Sequence, residues 1–220
     1  MMTIGLILLL IAGLLLLFGA GQRVLDKLRL TDRQALLAIA LIIGGGFVPD
    51  IQVTPLFAFN LGGALIPLLL CLYLWARAGS GVERARCLAA TAATAAAVFA
   101  LGRFLPADPA RMPFDVNYVY GLAAGAIGWL FGRSRRGAFI AGTLGVMLSS
   151  VASAAMVWRE GVAQKLVLGG AGGFDVIVIS GLLAVLLSEL IGEAVERVQR
   201  GRRRPTREFR GGDFIGKERT

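Results

Sequence analysis

The chain has 220 residues, of which 56% are hydrophobic and 17% are charged, and its mean hydropathy is +0.73. A soluble domain has about 45–50% apolar and about 25% charged residues, so this composition excludes an ordinary soluble enzyme and indicates a multi-spanning membrane protein. The chain contains no histidine, so catalysis by imidazole, metal ligation by imidazole and pH sensing by imidazole are all excluded.

The positive charge of the chain is distributed as membrane topology would distribute it. The net charge is +9, and the basic residues lie between long apolar runs or in the last 25 residues. A nucleic-acid-binding protein would instead cluster its basic residues on one folded surface. We therefore expect the lipid bilayer as the partner of this chain and expect no nucleic acid.

Seven apolar runs approach or reach the length of about 17 to 25 residues that crosses a bilayer as a helix. The sequence therefore predicts an all-α, polytopic transmembrane helix bundle with seven spans. The bundle is expected over residues 1–195, followed by a basic, cytoplasmic and disordered tail over 196–220. The runs are Thr3–Ala20, Gln34–Val48, Pro55–Ala76, Cys87–Leu105, Val116–Gly132, Gly137–Trp158 and Leu166–Gly192.

Lysine and arginine are distributed unequally between the two sides that seven spans define. The loops after the first, third and fifth spans and the C-terminal tail hold 19 of the 23 basic residues. Since basic loops stay in the cytoplasm, the sequence predicts a multi-pass protein of the cell (plasma) membrane with its N-terminus outside and its C-terminus in the cytoplasm. A cleaved signal peptide is the alternative for the first span, although residues 1–5 lack the basic residues that such a signal has.

Three short sequence matches recur in the same order in the two halves of the chain. If they reflect a duplication, spans one to three and five to seven form a parallel three-plus-one-plus-three repeat, an arrangement that some transporters use. Chance is the alternative, because matches built from Leu, Gly, Ala and Arg are common in this composition. The matched pairs are 17–19 with 130–132, 32–35 with 135–138, and 61–64 with 168–171.

The seventh apolar run contains a glycine-rich stretch directly before Asp175. Each glycine destabilises a helix interior by about 1 kcal/mol relative to alanine, so the sequence predicts an irregular turn, with the helix restarting near position 174. Asp175 would then lie at a helix N-terminus, where backbone N–H groups and the helix dipole favour a carboxylate. A capping role alone is the alternative explanation of this residue. The glycines are Gly169, Gly170, Gly172 and Gly173.

A second glycine run leads to Asp50 at the end of the second span, and Asn60 precedes Gly62 and Gly63 early in the third. The predicted topology places these residues on the same outer face as the break before Asp175. We expect Asp50, Asn60 and Asp175 to line an outward-facing polar pocket for a cation, a proton or a small polar solute. Helix packing is the alternative explanation of the glycines, because they let backbones approach closely.

Glu189 lies near the inner end of the seventh run and is followed by Glu193 and Glu196 on the same helix face. The latter two can pair with Arg197 and Arg200, which is typical of a helix beside the membrane. Glu189 is therefore a candidate acid in a transport pathway, with a purely structural role as the alternative. The arginines of the tail are a candidate contact for anionic lipid headgroups, and the alternative is that they only orient the chain.

No pattern in the sequence predicts a cofactor, a nucleotide or a metal. Cys71 and Cys87 lie in or beside apolar segments without CxxC spacing, so we expect buried thiols rather than a disulfide or a metal site. No Gly-x-x-x-x-Gly-Lys-Ser/Thr pattern occurs, and a Ser/His/Asp set requires a histidine. Two membrane aspartates can form a protease dyad, but that class uses Gly-x-Gly-Asp, where residues 172–175 read Gly-Gly-Phe-Asp.

The most distinctive patterns lie in five stretches: 30–37 (LTDRQALL), 44–51 (GGGFVPDI), 60–67 (NLGGALIP), 132–136 (GRSRR) and 169–175 (GGAGGFD). Together they resemble a bacterial family of uncharacterised membrane proteins, the domain of unknown function 1614. The resemblance covers roughly residues 1–195 and implies a bacterial integral membrane protein, with no catalytic residue to transfer. It also implies polar residues near the end of the sixth span, where this chain has Ser149, Ser150 and Ser153.

These observations favour a small carrier or channel for an ion or a small polar solute. The competing class is a non-catalytic membrane scaffold or assembly factor, in which the glycines serve helix packing. An intramembrane aspartyl protease is the third alternative, and an enzyme is the least favoured class.

Overall fold

The computed structural model describes residues 30–104, 116–132, 134–172, 175–202, 208–210 and 213–215. The predicted first span, Thr3–Ala20, as well as residues 105–115 and Gly173, lie outside these ranges. Within them, three helices are long and apolar enough to cross a membrane. The chain is therefore a mostly helical membrane protein, as predicted, while the number of seven spans stays a prediction. The three helices are Gly81–Phe104, Arg135–Arg159 and Val176–Arg197.

The described residues form six α-helices, five short strands and one π-helical turn, Leu61–Leu65, which leads into the second helix. The helices are α1 (Asp32–Gly46), α2 (Ile66–Ala76), α3 (Gly81–Phe104), α4 (Val116–Gly132), α5 (Arg135–Arg159) and α6 (Val176–Arg202). The strands are β1 (Ile51–Thr54), β2 (Phe57–Phe59), β3 (Leu166–Leu168), β4 (Glu208–Arg210) and β5 (Asp213–Ile215).

Helices α1 and α5 begin at residues with hydroxyl side chains. Thr31 Oγ1 accepts the N–H of Gln34, and Gln34 Oε1 accepts the N–H of Thr31 at 3.1 Å, which completes a capping box. Ser134 Oγ accepts the N–H of Gly137 at 3.1 Å. Since the first N–H groups of a helix have no partner within the helix, these side chains set the starting points of α1 and α5.

A three-stranded sheet in the order β1-β2-β3 lies where the third and seventh spans were predicted to begin. β1 and β2 pair antiparallel across a turn at Pro55, and β2 and β3 pair parallel, with Ala58 opposite Val167. The all-α prediction missed this sheet because a short apolar run looks alike in a buried strand and in a helix. Helix α6 consequently begins at Val176, ten residues after the predicted start of the seventh span at Leu166.

Helix α5 packs against α2, α3 and α4, and small residues set its closest approaches. A Cβ on Gly145 would lie 2.6 Å from the Cβ of Thr94 in α3. A Cβ on Gly142 would lie 2.9 Å from the carbonyl oxygen of Ser180 in α6, and Ser180 Oγ donates to the carbonyl of Gly142 at 3.1 Å. Lipid tails are as apolar as leucine, so membrane helices associate through such close backbone contacts.

The chain divides into two compact units, of which the second begins at Leu190. In this second unit β4 and β5 pair antiparallel, with Phe209 opposite Phe214. The prediction of a disordered tail did not include this hairpin.

Candidate functional site

Asn60 follows β2 and uses its whole hydrogen-bonding capacity. Its Oδ1 accepts the N–H groups of Gly62 at 2.9 Å and Gly63 at 3.0 Å, and so caps the π-helical turn. Its Nδ2 donates to the Val48 carbonyl at 3.0 Å and to Asp50 Oδ1 at 3.1 Å. Asn60 is only 3% exposed, and an amide side chain has two donor hydrogens and one acceptor oxygen with two lone pairs. Asn60 therefore positions Asp50 and the turn, and its side chain has no donor or acceptor left to bind a ligand.

Asp50 is exposed and accepts a hydrogen bond from Asn60, so these two residues are neighbours. One oxygen of its carboxylate accepts the Asn60 amide, and a carboxylate accepts further hydrogen bonds on both oxygens. Asp50 thus has acceptor capacity at the surface for a cation or a polar solute.

Asp175 lies at the N-terminus of α6, as the glycine pattern predicted. Its Oδ1 accepts the N–H of Ile177 at 3.1 Å, and its Oδ2 accepts the N–H of Ala171 at 3.4 Å. Asp175 therefore caps the start of α6 and also bonds to the glycine-rich loop that precedes it.

The glycines bring the segment before Asp175 against the segments that hold Asn60. Gly169 and Gly172 have φ angles of +70° and +59°, which residues other than glycine rarely adopt. A Cβ on Gly172 would lie 2.7 Å from the Cα of Gly46, and a Cβ on Gly63 would lie 2.7 Å from the carbonyl oxygen of Gly172. The loop before α6 therefore packs backbone to backbone on the end of α1 and on the π-helical turn.

The predicted site residues are consequently brought together only in part. Asn60 donates its backbone N–H to the carbonyl of Leu168 at 2.8 Å, so the residues that follow β2 and β3 are neighbours. Within the described ranges, however, no hydrogen bond joins Asp175 to Asp50 or to Asn60. Gly170 is exposed, and the atoms nearest to a Cβ placed on it all belong to Val167 of the adjoining strand β3. Gly170 is therefore not a site of backbone approach.

Glu189 forms an ion pair with Arg135 at the beginning of α5, with side-chain exposures of 22% and 13%. The next residue, Arg136, pairs through Nη2 with Glu83 Oε1 of α3 at 3.0 Å and donates through Nη1 to the carbonyl of Arg77 at 3.1 Å. The sequence analysis missed these pairs. The available signal was two adjacent arginines in the first turn of a helix, where the helix dipole disfavours cations unless acids pair with them.

In the described part of the chain, no group of three or more Cys, Asp or Glu side chains lies together so that it could hold a metal ion. Cys71 and Cys87 are free and buried, as expected from their apolar surroundings.

The model of a family described as protein of unknown function (DUF1614) matches residues 23–187. No curated protein and no solved structure matches the chain.

Proposed function

Because the chain belongs to the DUF1614 family of membrane proteins, as its resemblance predicted, we propose that it is a multi-pass carrier for a cation, a proton or another small polar solute. The observation that carries this proposal is the placement of Asp175. Ionisable side chains in membrane-spanning helices commonly mark ion or solute pathways, and Asp175 lies partly buried at the start of such a helix, after a backbone break.

The chemistry of the neighbouring groups favours a positively charged or hydrogen-bond-donating solute. Asp50 and Asp175 are acceptors when ionised, and Asn60 fixes the backbone around Asp50. In transporters, interrupted helices present polar groups to the transported ion near the break. We propose that Asp50 and Asp175 bind the solute and that Asn60 positions Asp50.

The proposed topology is the seven-span arrangement in the inner membrane of a bacterium, with the N-terminus outside. A parallel three-plus-one-plus-three repeat would explain two resemblances between the halves. Thr31 and Ser134 cap α1 and α5 at matched positions, and a short strand lies at or just before the start of both 61–64 and 168–171. In the tail, the arginines would bind anionic lipid headgroups.

Replacing Asp175 with asparagine tests the transport proposal directly. Asparagine caps a helix about as well as aspartate, so Asp175→Asn removes the charge and preserves the start of α6. We expect flux of sodium-22, or of protons into pyranine-loaded vesicles, to fall at least about 10-fold, since a lost charge-assisted bond is worth about 1.5–3 kcal/mol. The matched control is Glu160→Gln, an exposed acid after α5, which should leave flux unchanged.

Two results would contradict the transport proposal. Equal flux in the parent and in Asp175→Asn would remove Asp175 from the pathway. Absence of flux from the parent, across a panel of monovalent cations and neutral polar solutes, would favour the scaffold alternative. The saturated hydrogen bonds of Asn60 and the backbone packing of Gly63 are the observations consistent with that alternative.

The orientation is tested by cysteine labelling from outside intact cells. In a chain carrying Cys71→Ala and Cys87→Ala, an impermeant maleimide should modify Ala110→Cys and should not modify Ser80→Cys. Permeabilised cells should allow modification at both positions. The opposite pattern in intact cells would invert the topology and with it the outward-facing placement of Asp50.

An aspartyl protease is not proposed. Such an enzyme needs two carboxylates close enough to share a proton, and within the described residues Asp50 and Asp175 have separate hydrogen-bond partners.

A further inference from the structure

Two ion pairs and one hydrogen bond connect four helices at one end of α5. Arg135 joins α5 to Glu189 of α6, and Arg136 joins α5 to Glu83 of α3. Arg136 also donates to the carbonyl of Arg77 at the end of α2. The remaining oxygen of the Glu83 carboxylate accepts the N–H of Gly79 at 2.9 Å, so the connection between α2 and α3 belongs to the same network.

These side chains are largely withdrawn from water, which sets them apart from ordinary surface pairs. Arg135 and Arg136 are 13% and 11% exposed, whereas Arg197 in the pair Arg197–Glu193 is 83% exposed. An exposed pair contributes little, while breaking a largely buried pair leaves an uncompensated charge. Breaking either pair would therefore leave a charge that is largely excluded from water.

The network contacts α6 away from Asp175. Glu189 follows Asp175 by 14 residues, which in a helix is about 21 Å, and lies near the middle of α6. Two positions of this helix thus carry different arrangements: at its start a capped, partly buried carboxylate beside a backbone break, and near its middle a carboxylate neutralised by an arginine of α5.

A cavity of about 250 Å³ lies beside the network, between the beginnings of α3 and α5. Its lining includes Ser80, Glu83, Arg86, Cys87 and Ser134. Cys87 is only 2% exposed, although it borders this cavity. Separation of α3 from α5 at Glu83 would therefore expose the Cys87 thiol.

We propose that the pairs Arg135–Glu189 and Arg136–Glu83 form the closed inner gate of the carrier, and that solute release requires both pairs to open. This inference rests on the proposed transport function. It makes Glu189 a gate residue rather than a solute ligand, because its carboxylate is engaged by Arg135. It also assigns a role to the two arginines at the start of α5, where the helix dipole alone would disfavour them.

The test uses the two natural cysteines as internal reporters. Full-length protein in proteoliposomes is treated with N-ethylmaleimide, and mass spectrometry measures modification of the Cys87 and Cys71 peptides separately. We expect Glu83→Gln and Glu189→Gln each to raise the rate at Cys87 at least about 10-fold through local opening, with little change at Cys71. Cys71 is 0% exposed and reports unfolding of the bundle. The matched control, Glu193→Gln, removes an exposed acid of α6 and should change neither rate.

A second measurement separates a gate from a purely structural clamp. In a carrier with alternating access, neutralising the site changes the population of the gate about 21 Å away, so Asp175→Asn should change the Cys87 rate by at least about threefold. An exchange of charges, Glu83→Arg with Arg136→Glu, should restore slow modification. Equal rises at Cys87 and Cys71 in the glutamine variants, or no response of Cys87 to Asp175→Asn, would overturn the gate.

The flux experiment tests transport and the labelling experiment tests the gate, so each hypothesis can be refuted separately. Flux that depends on Asp175 together with an unresponsive Cys87 would refute the gate and leave transport standing. If the modification rate of Cys87 responds to Asp175→Asn but no solute is transported, transport is refuted. The conformational change that couples the two positions would then serve another function.

Discussion

Replacing Gly63 with alanine is expected to lower the free energy of unfolding by about 3 kcal/mol or more, because overpacking of this kind costs about 1–3 kcal/mol even where side chains can move. A Cβ on Gly63 would meet main-chain atoms, the carbonyl oxygen of Gly172 at 2.7 Å among them. The loop before α6 would have to move away from the π-helical turn, which would also displace the backbone that positions Asp175.

The measurement is the midpoint temperature of folded, monodisperse protein in detergent, followed by size-exclusion chromatography after heating. Gly44→Ala is the matched control, since it lies in α1 and a Cβ at this position would have no neighbouring atom within 4 Å. Alanine is the better helix former by about 1 kcal/mol, so this control should be neutral or slightly stabilising. Similar midpoints for the two variants would show that the described backbone contact is absent in the native protein.

Replacing Asn60 with alanine is expected to have the second large effect. The change removes four hydrogen bonds and leaves the N–H groups of Gly62 and Gly63 without their side-chain acceptor. Each buried polar group that loses its partner costs about 1–3 kcal/mol, so we expect a loss of about 3 kcal/mol or more. Asp50 would also lose the amide that holds it, so solute affinity should fall together with stability.

Two further variants isolate the donor side of Asn60. Asn60→Asp keeps both acceptor bonds but cannot donate to the Val48 carbonyl when ionised, and it places a second carboxylate beside Asp50. Combining it with Asp50→Asn removes the like-charge contact and restores one donor between the two positions. The double variant should therefore melt at a higher temperature than Asn60→Asp alone. If it melts at the same temperature, the contact between residues 50 and 60 does not contribute to stability.

The candidate site could be predicted from sequence where a local rule governs it. Four glycines before Asp175 interrupt a helix regardless of the surrounding fold, and an aspartate is a favoured residue at the helix start that follows. Asp50 and Asn60 are ten residues apart, and their contact follows from a short connection between two segments. The β-hairpin between these residues was not predicted, because its apolar residues read equally well as the beginning of a helical span.

Composition and the spacing of charged residues between apolar runs determined that this chain is a helical membrane protein, because the bilayer imposes length and apolarity on any segment that crosses it. Tertiary structure alone decided which distant groups meet: β2 beside β3, Gly63 against Gly172, and Arg135 with Glu189. The members of each pair lie far apart along the chain, and their contact depends on how the segments pack. Hydropathy measures each segment against lipid and carries no information about its neighbours.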